Sequence, residues 1–362
     1  MHISYEYKHL PRYKGRLMSI IFTTQHPAHV HLFKNTIQKL IQDGEDVFVF
    51  ARDKGITADL LSAYEISYKV LAGNAESLFE LLKEQVYYET RLLKHALKID
   101  PDVMVAMGEP AVAHIASIIG AKSMIFTDTE HATLQNKLSF PFSDRIYTPE
   151  CYQDNIGEKQ IQYSGYHELA YLHPENFSPS TNIVNKFDIN PSEKYVVLRL
   201  VSWKAAHDQG EEGFNSVLNV VRRLEQTGAN VLITSEGSVP AELESYQLTI
   251  PAEKIHHILN YANLFIGESA TMAAESAVLG TPAVYVSSIK LGYLIELEKK
   301  YNLVYNYNGS RKQINALNKS VEILKSSKKE KWKNNHAKLI NDKINTAKYI
   351  TNEIISETDD YQ

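Results

Sequence analysis

The chain has 362 residues, with 38 Lys and Arg against 43 Asp and Glu, a formal net charge of −5 and 44% hydrophobic residues. At roughly 150 residues per domain this length predicts two domains, and the ordinary composition excludes collagen-like, disordered and disulfide-scaffold classes. With no excess of positive charge to hold a polyanion, nucleic acid is not an expected partner.

Cys151 is the only cysteine. An intrachain disulfide and a thiolate cluster for zinc or iron–sulfur are therefore excluded, and a reducing cytoplasm is the expected home. No apolar run approaches the roughly 18 residues of a membrane span, and the amino-terminal residues lack the apolar stretch of a signal peptide. Residues 1–17 carry Lys8, Arg12, Lys14 and Arg16 among tyrosines. They read as an extension ahead of the folded chain, with peripheral contact at the inner face of an anionic membrane as the alternative.

From Met18 onward the pattern alternates strand and helix. Residues 19–24 form a buried-type strand, after which Val30, Phe33, Ile37, Leu40 and Ile41 fall on one helical stripe ending at Gly44. Residues 47–51 are the next strand. Ser77 and Glu80 make a capping box for a long helix whose stripe runs Leu78, Leu81, Leu82, Val86, Leu92, Leu93 and Ala96, stopped ahead of Pro101. Strands at 103–107, 123–127 and 145–147, with a helix over 111–119, complete a series that predicts a parallel sheet. A stretch over 165–192 with Pro174, Pro179 and Pro191 interrupts the rhythm and reads as a connection.

The alternation then restarts, with strands at 195–201, 231–234, 264–266 and 283–286 and helices at 214–226, 252–261 and 270–279. The expected organisation is an extension 1–17, a first Rossmann-like domain 18–164, a connection 165–192, a second Rossmann-like domain 193–330 and a Lys- and Asn-rich C-terminal helix, 331–362, packing back across the junction. Two such parallel sheets are expected to face each other across a cleft, with the ligand at the carboxyl ends of their strands.

Four groups of residues carry chemistry in that setting. His26, His29 and His31 occupy the first strand-to-helix turn, where imidazole, titrating nearest neutrality, suits a general base; His29 is the candidate, with His26 as a substrate contact. No HExxH or comparable ligand spacing accompanies them, so no metal is expected. Ser269, Ala270 and Thr271 bridge a strand and a helix, where backbone amides and the helix dipole favour a phosphate, and Glu275 one turn inside can accept from two ribose hydroxyls. The loop over 199–210 offers Ser202, Lys204 and its amides to a diphosphate, and His207 to the leaving oxygen. Asp128 and Glu130 after one strand and Glu109 after its neighbour can converge on one ligand, with helix capping as the alternative for Asp128. Neither GxGxxG nor GxxxxGK[ST] occurs in a fitting context, which argues against NAD enzymes and P-loop NTPases.

Glu275, Gly280 and Pro282 after the run ANLFIG resemble the nucleotide-binding segment of GT-B glycosyltransferases of the MurG type and of UDP-N-acetylglucosamine 2-epimerases. More closely, HPAHVHLFKN, FTDTEHA, SGYHELAYLHP, RLVSWKAAHDQG and GESATMAAESAVLGTPA resemble an uncharacterised archaeal and bacterial family associated with surface-polysaccharide synthesis. The resemblance implies an α/β GT-B fold and a UDP-sugar donor, with no cofactor. It also implies Glu275 on the ribose, Ser269, Ala270 and Thr271 on the diphosphate, His256 near the base and His29 at the histidine after the first strand, while Glu109 and Glu130 roughly match acidic positions of the epimerases. In the expected transfer His29 or the neighbouring Glu130 is the base toward a sugar or lipid-linked acceptor. The glycine-rich loop of the MurG type is replaced here by His26-Pro27-Ala28, and His207 resembles the histidine of the epimerase TxHRxEN loop without its arginine and glutamate. The expected function is glycosyl transfer, with a non-hydrolysing 2-epimerase and a noncatalytic nucleotide-sugar-binding protein as alternatives.

Overall fold

A computed structural model describes residues 17–73, 78–200, 217–235, 237, 239–326 and 329–359. The chain forms two compact units, Met1–Tyr171 with Asn345–Gln362, and Leu172–Ile344.

In the first unit β1 (Ser19–Thr24), β2 (Asp46–Arg52), β3 (Lys69–Ala72), β4 (Val103–Met107), β5 (Lys122–Phe126), β6 (Arg145–Pro149) and β7 (Gln160–Tyr163) alternate with α1 (Pro27–Gln42), α2 (Thr57–Ala63), α3 (Leu78–Ile99), α4 (Pro110–Ile119), α5 (Thr133–Ser139) and α6 (Leu169–Leu172). The strands form one sheet in the order β3-β2-β1-β4-β5-β6-β7, parallel throughout. All six residues of β1 are buried, because a central parallel strand is covered on both faces and its run SIIFTT suits both. α1 starts with Pro27, whose missing N–H costs nothing in a first turn, and buries Val30, Phe33, Ile37 and Leu40 along its stripe. One core gathers Phe50, Leu71, Leu92, Met104, Val112 and Ile125 from β2, β3, α3, β4, α4 and β5. The short helix α2 and the strands β3 and β7 have no counterpart in the sequence reading. Both strands are four-residue sheet edges: β7 (QIQY) buries only Tyr163 and shows no apolar run, and β3 (KVLA) buries Leu71 and Ala72 in a run too short to mark a strand.

The second unit contains α7 (Thr181–Asn185), β8 (Tyr195–Leu200), α8 (Val217–Glu225), β9 (Asn230–Ser235), α9 (Ile255–Tyr261), β10 (Leu264–Gly267), α10 (Ala270–Val278), β11 (Ala283–Val286), α11 (Gly292–Lys299), β12 (Val304–Tyr307), α12 (Lys312–Lys325) and α13 (Lys329–Asp342). Its five strands are parallel in the order β12-β11-β10-β8-β9. The helix expected from residue 252 opens as a 3-10 turn, Ala252–Lys254, and becomes α-helical at Ile255. The stretch 165–192 carries α6 and α7, and the division between the units falls within it, after Tyr171.

The C-terminal region forms two helices instead of one. Between α13 and α14 (Thr346–Asp359) the chain leaves the helical path, and the Asn345 side chain accepts from the Lys348 N–H at 3.2 Å, an N-cap that starts the new helix. α14 belongs to the first unit. There Thr346 Oγ1 donates to the Tyr166 carbonyl at 2.7 Å, Thr36 Oγ1 donates to the Ala347 carbonyl at 3.2 Å, and Tyr349 stacks on Tyr163 with ring centres 5.2 Å apart. Among the described residues no helix is long and apolar enough to cross a membrane.

Candidate functional site

In the first sheet the chain winds one way from β1 and the other way from β4, so the loops after these strands flank a reversal of strand order, where open α/β sheets hold ligands. Met107 of β4 lies opposite Phe126 of β5. Two residues further on, Glu109 and Asp128 therefore leave neighbouring strands at the same level. Glu109 is 2% exposed. The Thr23 hydroxyl donates to its Oε2, Tyr88 and Gln25 face it, and burial raises its pKa above the usual carboxylate value. Asp128, 7% exposed, is shifted the opposite way. Burial alone would raise it, but His167, with Nδ1 3.1 Å from Oδ2, and the Thr129 hydroxyl, donating to Oδ1 at 2.8 Å, hold the carboxyl below its ordinary value.

His29 is half-buried, and its pKa is lowered to about 3, first by burial and then by the neighbouring His26 and His167. The Gln25 N–H donates to its Nδ1 at 3.4 Å. A neutral ring accepting at Nδ1 carries its proton on Nε2, so His29 presents an N–H rather than the lone pair a general base requires. His26 is exposed, and its Nδ1 accepts from the Ala28 N–H at 3.2 Å, which caps α1. His31 is a core residue stacked on Tyr171, with ring centres 5.0 Å apart. Glu130 is half-buried, accepts from the Gln153 N–H at 3.1 Å through Oε1, and lines a cavity of about 830 Å³ together with Asn136 and Tyr152.

In the second sheet the reversal lies between β8 and β10. α10 starts beside it, with Ser269, Ala270 and Thr271 half-buried. The Ser269 side chain accepts from the Met272 N–H at 3.3 Å, so that hydroxyl caps the helix. Glu275 is buried, 3% exposed, with Oε1 2.9 Å from Nε2 of His256, itself 2% exposed. The two side chains expected on ribose and base thus contact one another. The glycines of this motif have structural causes. A Cβ at Gly267 would stand 2.5 Å from the Arg199 carbonyl oxygen of the adjoining strand. Gly280 has φ +86°, and a Cβ there would meet the His336 ring at 3.0 Å.

Ser202, Lys204 and His207 lie outside the described residues. Sequence reasoning missed His167 and Tyr88. His167 follows the edge strand β7, which no apolar run marks, and Tyr88 lies within the α3 stripe, where an aromatic reads as packing.

Against known proteins, the chain matches the family described as "Protein of unknown function (DUF354)" over residues 18–348. An uncharacterized protein of Methanocaldococcus jannaschii is 25% identical over 291 residues, 75% of this chain and 83% of that protein. Among solved structures, UDP-GlcNAc 2-epimerase from Neisseria meningitidis bound to UDP-GlcNAc superposes with a TM-score of 0.67 at 13% identity, covering 94% of this chain and 99% of that one. The spinosyn forosaminyltransferase SpnP gives a TM-score of 0.62 at 11% identity, covering 94% and 99%. At these identities the likeness is one of fold, two parallel-sheet α/β domains of the GT-B type.

Proposed function

The chain belongs to the DUF354 family, and from that premise we propose that it is an enzyme of nucleotide-activated sugars. The reading is a glycosyltransferase that takes a UDP-sugar donor and passes the sugar to a hydroxyl of a sugar or lipid-linked acceptor, in the synthesis of a surface polysaccharide or another glycoconjugate, with peripheral membrane contact where the acceptor is a lipid. One observation carries it: in each unit the candidate residues fall beside the reversal of strand order, Glu109 and His29 in the first sheet and the start of α10 in the second.

In the proposed transfer the acceptor hydroxyl gives its proton to Glu130 while its oxygen bonds to the anomeric carbon. The bond from that carbon to the diphosphate oxygen breaks, and its electron pair leaves on UDP. His29, neutral and carrying its proton on Nε2, donates to a sugar oxygen. The first-turn amides of α10, with Lys204 and Ser202, meet the charge on the leaving group, and His207 donates to it. Glu275, steadied by His256, accepts from the ribose. Titration with UDP followed by a donor panel beginning with UDP-GlcNAc tests the reading. Glu275→Ala is expected to weaken UDP binding and His29→Ala to lower turnover, whereas unchanged UDP affinity in the first variant removes the ribose assignment.

A second reading, a 2-epimerase acting at C2, is favoured by one feature of the first unit. Glu109 is pushed up and Asp128 down at the ends of adjacent strands, which is how one site keeps an acid and a base apart. Incubation with UDP-GlcNAc in heavy water separates the two: deuterium at C2 supports epimerisation, and its absence alongside sugar transfer supports the transferase. UDP binding with no turnover across the panel supports a nucleotide-sugar-binding protein.

A further inference from the structure

The second sheet has a site-like feature at the edge its proposed nucleotide ligand would not use. Because β8, β10 and β11 are parallel, their amino ends share one edge, and Lys194, Asn263 and Pro282 directly precede them there. These three residues line an open cavity of about 340 Å³ together with residues of α9, α12 and α13. Its charged side chains are lysines alone, with His336 beside them. Lys194, Lys329, Lys333 and His336 border it, and among the described lining residues there is no Asp or Glu. Glu330, one residue along α13, is exposed and is not part of the lining.

The basic side chains differ in what already occupies them. Lys194 donates to the Thr227 carbonyl at 3.1 Å and the Leu324 carbonyl at 2.7 Å, a fixed charge in the wall. The His336 Nε2–H donates to the Val278 carbonyl at 2.7 Å, and burial lowers its pKa, so it serves as a polar wall rather than a cation. Lys329 and Lys333 are exposed at the start of α13, where the helix dipole adds positive potential to theirs. Trp332, 7% exposed, and the half-buried Tyr261 supply aromatic surface between the charged groups. A concave wall with several positive groups and no carboxylate favours an anion, because an occupying phosphate meets charge-assisted donors and no repulsion from the lining.

We propose that this cavity is a second ligand site, taking a small phosphate-bearing anion at the amino edge of the sheet. It stands apart from the nucleotide-sugar reading, which concerns the opposite edge. α10 reaches both: its start lies beside the strand reversal, and Leu279 and Gly280, just after its end, line the cavity. Nine helical residues span about 14 Å, so the two edges of the sheet are joined by one rigid element.

The chain has two tryptophans, Trp203 and Trp332, so a Trp203→Phe variant leaves Trp332 as the sole indole reporter. Its emission is followed while inorganic phosphate, pyrophosphate and UMP are added to the full-length protein, with chloride holding ionic strength constant. The expected result is a saturable change with each, tighter for pyrophosphate than for phosphate, and weakened about tenfold or more by Lys329→Gln with Lys333→Gln. Tighter binding of UMP than of phosphate assigns the site to a nucleotide, and equal binding assigns it to free phosphate. Far-UV circular dichroism of the double variant checks that these exposed changes leave the fold intact. An emission change that does not saturate, that chloride alone reproduces, or that the double variant retains in full overturns the proposal.

Discussion

Glu275 grips His256: Oε1 and Nε2 are 2.9 Å apart, with 3% and 2% of the two residues exposed. The contact ties α9 to α10, so the residue proposed to hold a ribose is also part of the packing that fixes the helix start. Removing one partner from a buried pair leaves the other without its counterpart. Glu275→Ala should lower unfolding free energy by about 3 kcal/mol, and Glu275→Gln, which keeps an acceptor for the imidazole N–H, by about 1 kcal/mol. Urea unfolding followed by circular dichroism measures both. An Ala variant as stable as the parent contradicts the pairing.

Glu109 gives the opposite kind of variant. Its buried carboxyl holds a proton to higher pH than the same group does in the unfolded chain. Above the unfolded value the unfolded state sheds that proton first, so stability declines as pH rises toward the folded value and stays reduced above it. Glu109→Gln never ionises and should abolish that decline, leaving the variant at least as stable as the parent at pH 8; on the epimerase reading its turnover at C2 also falls sharply. A variant less stable than the parent at pH 8 would show that the carboxylate is stabilising there.

The sequence made the central strands and the amphipathic helices legible because both carry strong periodic signals. β1 is SIIFTT with every residue buried, and α1 shows its stripe and its N1 proline. The edges were not legible: β7, QIQY, buries only Tyr163, and without it His167 has no visible place at a strand end. The candidate site was partly legible for the same reason. Strand-to-helix turns such as the one before Ala270 announce themselves, but a pairing such as that of Asp128 with His167, 39 positions apart, is set by the sheet order β5-β6-β7 and leaves no local spacing to read. His256 and Glu275 were both singled out, yet their contact depends on how α9 packs against α10, which periodicity alone does not specify.

For His29 the direction reverses again. The folded pKa is lowered to about 3, while the unfolded imidazole titrates near 6.5. As pH falls through that window the unfolded state takes the proton and the folded state does not, so stability is lost on acidification from about pH 6.5 toward pH 3. His29→Asn should flatten the stability curve in this range. Some slope should persist, because His95 is also lowered, to about 4, mainly by burial. Stability measured by urea at pH 4.5, 5.5 and 7 tests this. For the proposed transfer, the same shift predicts a rate profile with no limb from His29 between pH 5 and 8, while His29→Ala loses activity. A limb near pH 6.5 that disappears in His29→Asn would place the proton differently.

Gly267 tests the meeting of β8 with β10 at the strand reversal. A methyl group added there would stand 2.5 Å from the Arg199 carbonyl oxygen, 2.7 Å from the Arg199 Cβ and 3.0 Å from its backbone nitrogen. Two of the three are backbone atoms held in the ladder between these strands, so the clash cannot be relieved by turning a side chain. Gly267→Ala should destabilise by about 1–3 kcal/mol. It should also displace the turn leading to Ser269 and weaken UDP binding, whatever the identity of the sugar. Gly237→Ala is the matched control, since among the described residues nothing lies within 4 Å of a Cβ at that position. If the two variants unfold at the same urea concentration, the tight approach of Gly267 to Arg199 is not part of the folded protein.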